Sequence, residues 1–141
     1  MKVLLLLTVL IGQQAVDQPK SVRAPVVGMW KVDLNSGYPK QATAWGIYID
    51  WVLTFNEDGT YQWAMYEPFK EGVGRPHKDI KGTYVVNLEE NILVLRSGEG
   101  KNRSALKAIL DEDRKWLTLP PENPKKPELK VRFYKVEKAK G

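Results

Sequence analysis

The chain has 141 residues, a formal charge of +5 and an apolar content of 43%, enough for one ordinary domain with one real core. It has no cysteine and a single histidine. That removes the parts for a disulfide framework, a thiolate centre, a cysteine-anchored lipid tail, a zinc site and a Ser-His-Asp triad. The basic excess is spread along the chain and densest after residue 120, so it points away from nucleic acid and toward a solvated surface with weak attraction to anionic surfaces.

The first stretch reads as a leader. Met1-Lys2 is positive, Val3 to Ile11 is apolar apart from Thr8, and Gln13-Gln14-Ala15 follows. This is the tripartite pattern of a secretory signal, too short to span a bilayer. Residues 1–15 are therefore assigned as a signal peptide, with cleavage after Ala15, and 16–25 as a linker. The mature protein is expected to be exported, periplasmic or secreted, and soluble.

Beyond it, short runs rich in Val, Ile, Leu, Thr, Tyr and Trp alternate with turn signals at close spacing, the pattern of an all-β sandwich or barrel. Strands are expected near 28–34, 45–55, 60–67, 81–88, 92–97, 103–111, 115–119 and 128–137. Mostly tight connections favour an antiparallel up-and-down meander, and closing it into an eight-stranded barrel over 26–138 removes the exposed edges.

The hairpin in "WVLTFNEDGTYQWAM" has a register that can be worked out. Trp51, Leu53 and Phe55 share a face with Tyr61, Trp63 and Met65 only if an odd number of residues closes the turn. The loop Glu57-Asp58-Gly59 pairs Asn56 with Thr60 and puts the left-handed residue at Gly59. "KGTYVVNLEENILVLR" repeats the design with Glu89-Glu90-Asn91 as its loop and Asn91 in the left-handed place. "LKAILDEDRKWLTL" is a third hairpin around Asp111 to Arg114. Its acidic residues lack the spacing and glycine of a calcium loop and read as an exposed turn. "PPENPKKPE" is a proline-rich loop before the last strand.

Two longer connections, residues 35–44 and 68–79, carry Gly and Pro without a core pattern and are expected as rim loops. His77 falls in the second and reads as solvated. "EGVGRP" follows no strand-to-helix pattern and is not a nucleotide loop. Strand parity turns Asp50 away from the interior, so no catalytic pair of Asp50 and Glu67 is expected. No catalytic residue, metal or cofactor is assigned, and the chain is expected not to be an enzyme.

Gly28-Met29-Trp30 opens the first strand as the Gly-x-Trp of the calycin group does, the group of lipocalins, fatty-acid-binding proteins and avidin-like barrels. Together with "LTFNEDGTYQW" and "KGTYVV", residues from about 26 to 137 most resemble the small bacterial lipocalin-like domains. The resemblance implies that Trp30 plugs the closed end of the barrel, that Gly28 allows close backbone approach, and that an arginine of the last strand packs on the indole as a latch. Arg132 in "LKVRFYKV" is the residue in that place. Two further readings of Arg132 stay open. One is a carboxylate site like the Arg-x-Tyr of fatty-acid-binding proteins, made with Tyr134; the other is a plain surface arginine. Parity weighs against the carboxylate site, because it would turn Leu129, Val131 and Phe133 to water. The chain departs from fatty-acid-binding proteins in having no room between 34 and 45 for a two-helix lid, and from typical lipocalins in lacking a C-terminal helix.

An eight-stranded barrel is just wide enough to be filled by its own side chains or to hold one small ligand. The ligand reading assigns Trp51, Leu53, Tyr61, Trp63 and Tyr84 to the wall around a small apolar molecule, with tyrosine hydroxyls as polar anchors. The alternatives are a filled structural barrel, or an inhibitor-like module that meets a protein or glycan through its rim loops.

Overall fold

Alternation in "WVLTFNEDGTYQW" builds the first hairpin as the residues demand. The computed structural model describes residues 18–67, 75–98, 101, 103–121 and 124–137; residues 1–15, expected as a leader, and residues 68–74 of the second rim loop lie outside them. Strands β2 (Asp50–Phe55) and β3 (Thr60–Glu67) pair with Phe55 opposite Tyr61 and Leu53 opposite Trp63. The turn closes with Asn56 N donating to Thr60 O at 2.9 Å and with Gly59 at φ 89°.

The other strands are β1 (Gly28–Val32), β4 (Arg75–Asn87), β5 (Ile92–Ser97), β6 (Ser104–Leu110), β7 (Trp116–Leu119) and β8 (Val131–Lys135). They follow one another round a closed antiparallel eight-stranded barrel, in which β8 pairs back onto β1 through Trp30 opposite Lys135 and Val32 opposite Phe133. This is the expected fold class, in one domain. Closure leaves no ladder of unpaired backbone groups along an edge strand. The inward positions of every strand meet in one core, from Trp30, Leu53 and Phe55 on one side to Leu93, Leu95, Leu117 and Phe133 on the other.

The hairpin turns behave as their residues suggest, with one adjustment. Asn91 takes φ 55°, but the loop runs over four residues, 88–91, because Asn87 pairs with Ile92. In the β6–β7 turn the Asp111 carboxylate accepts the N–H groups of Lys115 (2.8 Å) and Trp116 (3.0 Å). Its acidity there serves the turn backbone, as aspartate commonly does.

Three stretches differ from expectation. Residues 35–44 are not a loop: Gly37–Ala44 form helix α2, with Pro39 in the first turn, where a missing N–H costs little. The strand expected from residue 45 consequently begins at Asp50. The linker also holds structure, since Lys20–Arg23 form a single helical turn, α1, packed against β4. Finally, β4 begins at Arg75, inside the second rim loop, and β8 spans only Val131–Lys135 because Pro127–Leu129 form a 3-10 turn.

The N-terminal segment finishes the sheet where β3 has run out. Beyond Thr83, β4 has lost its β3 neighbour. The Gln18 side chain takes its place, accepting Val86 N (3.1 Å) and donating to Val86 O (3.0 Å) as a strand backbone would. Arg23 is buried and its guanidinium donates to Glu57 O in the first hairpin turn. The segment thus closes one end of the barrel, and α2 lies at the other, against β8 and the 3-10 turn.

Candidate functional site

Period-2 alternation brings the expected wall residues together. Trp51, Leu53, Tyr61, Trp63 and Tyr84 all point inward and all are buried. The aromatic rings form a continuous chain across the interior. Tyr38, on α2, stacks on Trp51 (5.7 Å, 16°); Trp51 meets Trp63 edge-on (5.5 Å), and Trp63 meets Phe133 edge-on (6.0 Å). A second cluster, Phe55 with Tyr84 (4.9 Å) and Tyr61 (6.2 Å), lies toward the first hairpin turn. Edge-on and offset contacts of this kind suit the ring quadrupoles and hold the rings in fixed positions.

Of the two wall tyrosines, Tyr84 does not offer a free anchor. Tyr84 donates its hydroxyl to Asn56 O at 2.6 Å, so it braces the turn at the floor. The Tyr61 ring lies across Gly82, where a Cβ would stand 2.9 Å from its Cε1, and Ser97 partly offsets the upward shift that burial gives its phenol. Ser97 Oγ in turn lies 3.0 Å from Ser104 Oγ. An unspent polar group stands elsewhere in the wall: Trp63 is 9% exposed, and its Nε1 is buried with no hydrogen-bond partner.

Charge is sparse on the inward register. Among the residues whose side chains are described it holds Lys135 at the floor, Lys78 opposite Met65 at the other end, and no carboxylate. Lys135 donates to Pro25 O at 2.8 Å, and burial holds its ammonium below the ordinary lysine range.

Burial also raises both wall tyrosines, Tyr84 to about 12. Below pH 10 each phenol is neutral folded and unfolded, and the stabilisation is fully present. Above pH 10 the unfolded chain loses its protons first, so stability falls as pH rises from 10 through 12. With allowance for screening, Tyr84 accounts for a loss on the order of 1–2 kcal/mol. Urea midpoints at pH 8 and pH 11 are expected to show it, and Tyr84→Phe to shrink the difference; equal midpoints would refute the assignment.

The proposed latch is not the contact that forms. Trp30 is fully buried and donates Nε1 to Val26 O at 2.9 Å. The cation near its ring is Lys135, 6.0 Å from the centroid. Arg132 instead lies outside, over Trp116 at 4.1 Å. The reason is parity: with Val131 and Phe133 inward, Arg132 must face out, and Lys135 is the inward residue opposite Trp30. The carboxylate reading fails on the same ground, since Tyr134 is 40% exposed. Gly28 has no close neighbour, the nearest atom to a Cβ being Lys135 Cε at 3.9 Å; its φ of 128° is what calls for glycine.

Sequence reasoning missed Tyr38, Lys135, Arg23 and Gln18. Continuing the alternation two residues past Phe133 would have found Lys135. Tyr38 and Ala42 stand four apart, one face of a helix, but eight residues containing Gly and Pro are too few to show the period.

Outside the barrel, Trp116 packs edge-on against Tyr134 (6.0 Å) below Arg132, beside exposed Ile109 and Met29. Arg132 also lines an open cleft of about 490 Å³ with Asp33, Ser36, Thr118, Glu128 and Lys130.

Comparison with known proteins supplies no relative: no family model matches the chain, and neither does any curated protein or solved structure.

Proposed function

We propose that this protein is a lipocalin-like binding barrel, exported by its leader and without catalytic activity, that takes one small, largely apolar molecule into its interior. The observation that carries the reading is the ring chain Tyr38–Trp51–Trp63–Phe133, set across a closed barrel with a helix at one end. Aromatic walls give large contact area at low conformational cost, and a helix at the mouth gives a ligand something to close behind it. The calycin-like Gly-x-Trp opening and the eight-stranded closure agree with that use.

A neutral apolar fluorophore such as N-phenyl-1-naphthylamine is the direct test. Its emission is expected to rise saturably at one equivalent, and Tyr38→Ala to weaken binding about three- to tenfold by removing the ring stacked on Trp51. Failure of chemically varied apolar probes to bind saturably overturns the reading. The second reading, an interaction module, is favoured by the outer Arg132–Trp116–Tyr134 stack, which presents aromatic surface to solvent beside a free face of β6 and β1.

A further inference from the structure

We infer that the interior molecule is neutral and carries a hydrogen-bond acceptor, a ketone or ester oxygen, which meets the Nε1–H of Trp63. The inference rests on the binding-barrel reading and names the ligand chemistry of that same interior. Three observations lead to it.

The first is the orphan donor. Trp63 is nine-tenths buried and its indole N–H has no hydrogen-bond partner, whereas the fully buried Trp30 gives its N–H to Val26 O at 2.9 Å. Indole N–H groups in protein interiors are ordinarily bonded, and one left unmet is destabilising. The second is where it sits. Trp63 stands between Trp51 and Phe133 in the ring chain, with both rings turned edge-on to it at 75° and 85°. Its neighbours therefore hold the indole in a single orientation, which fixes the direction of the N–H. The third is that no buried, unspent cation faces it. Among the residues whose side chains are described, the inward cations are Lys78 and Lys135. Lys135 is spent on Pro25 O at the floor, and Lys78, opposite Met65 one inward pair beyond Trp63–Ile80, is exposed to solvent.

A carboxylate beside Trp63 would give up its hydration for one N–H and no counter-charge, which is unfavourable in a low-dielectric interior. A carbonyl gives up much less and gains a full hydrogen bond. A hydrocarbon loses nothing but leaves the donor unmet. The interior is thus built to rank ketone or ester above hydrocarbon, and hydrocarbon above carboxylate, at equal shape. This also sets the site apart from one in which Arg132 and Tyr134 would hold a fatty carboxylate, since both stand outside the barrel.

Three naphthalenes of matched size test the order by equilibrium dialysis against the full mature protein: 2-acetylnaphthalene, 2-ethylnaphthalene and 2-naphthoate at neutral pH. The ketone is expected to bind about three- to tenfold more tightly than the hydrocarbon, the range of one hydrogen bond, and the naphthoate most weakly. Trp63→Phe keeps a ring in the chain and removes the donor; it is expected to bring ketone and hydrocarbon to equal affinity while hydrocarbon binding persists. Equal affinities in the unaltered protein mean that water or nothing meets the N–H, and overturn the inference while the binding barrel stands. Tightest binding of naphthoate overturns it as well, by requiring a cation in the site. If none of the three binds, and N-phenyl-1-naphthylamine does not either, the binding-barrel reading falls and this inference falls with it. The wild-type ratio decides even if the variant folds poorly.

Discussion

Trp30→Ala is expected to be among the most damaging single substitutions in the barrel, costing about 3–5 kcal/mol in chemical denaturation, the usual range for emptying a large buried aromatic site. Trp30 is fully buried, sits opposite both Leu53 and Lys135, and bonds Val26 O through its indole N–H. Truncation therefore opens a void where β1, β2 and β8 meet. It also leaves a buried carbonyl in the segment that closes this end of the barrel, and takes away the ring beside the Lys135 ammonium. Trp30→Phe divides these effects, since it keeps a ring in the site and removes the N–H together with part of the indole's volume; about 1–2 kcal/mol is expected. A Trp30→Ala loss below about 1 kcal/mol would show that the tryptophan is not what joins the N-terminal segment to the strands.

Gly82→Ala is expected to lower the melting temperature by roughly 5–10 °C, corresponding to about 1–3 kcal/mol of overpacking. A Cβ there would stand 1.9 Å from Arg96 O and 2.9 Å from Tyr61 Cε1. The first neighbour is backbone in the paired strand β5 and cannot swing aside; the second is a buried ring packed against Phe55. Relief requires β4 and β5 to part locally, at the cost of ladder hydrogen bonds around the Gly82–Ser97 pair. The damage should also reach the interior, because a displaced Tyr61 disturbs the ring cluster it forms with Phe55. A melting temperature unchanged within a degree would mean that the close approach of the two strands relaxes without cost.

Some of this molecule could be read from residues alone. Alternation is local: once Phe55 is inward, so are Leu53 and Trp51, and an odd loop ending at Gly59 carries the register into Tyr61, Trp63 and Met65. The same rule placed most of the interior wall and, applied to the last strand, already implied that Arg132 faces out if Val131 and Phe133 face in. Other features depend on closure, which no local pattern reports. Lys135, not Arg132, meets Trp30 because β8 pairs with β1 in a particular register, and that pairing joins residues more than a hundred apart in sequence. Helix α2 exists because Tyr38, Pro39 and Ala42 bury against the barrel and because Ser36 Oγ accepts Arg132 N at 3.1 Å; eight residues with Gly and Pro would not hold a helix in isolation. Gln18 and Arg23 gain their roles only after β3 has ended short of β4 and left backbone groups to satisfy. Side-chain direction along a strand follows from its neighbours two residues away, whereas the partner across the barrel, and the segment that covers its ends, follow from the energy of the whole closed sheet.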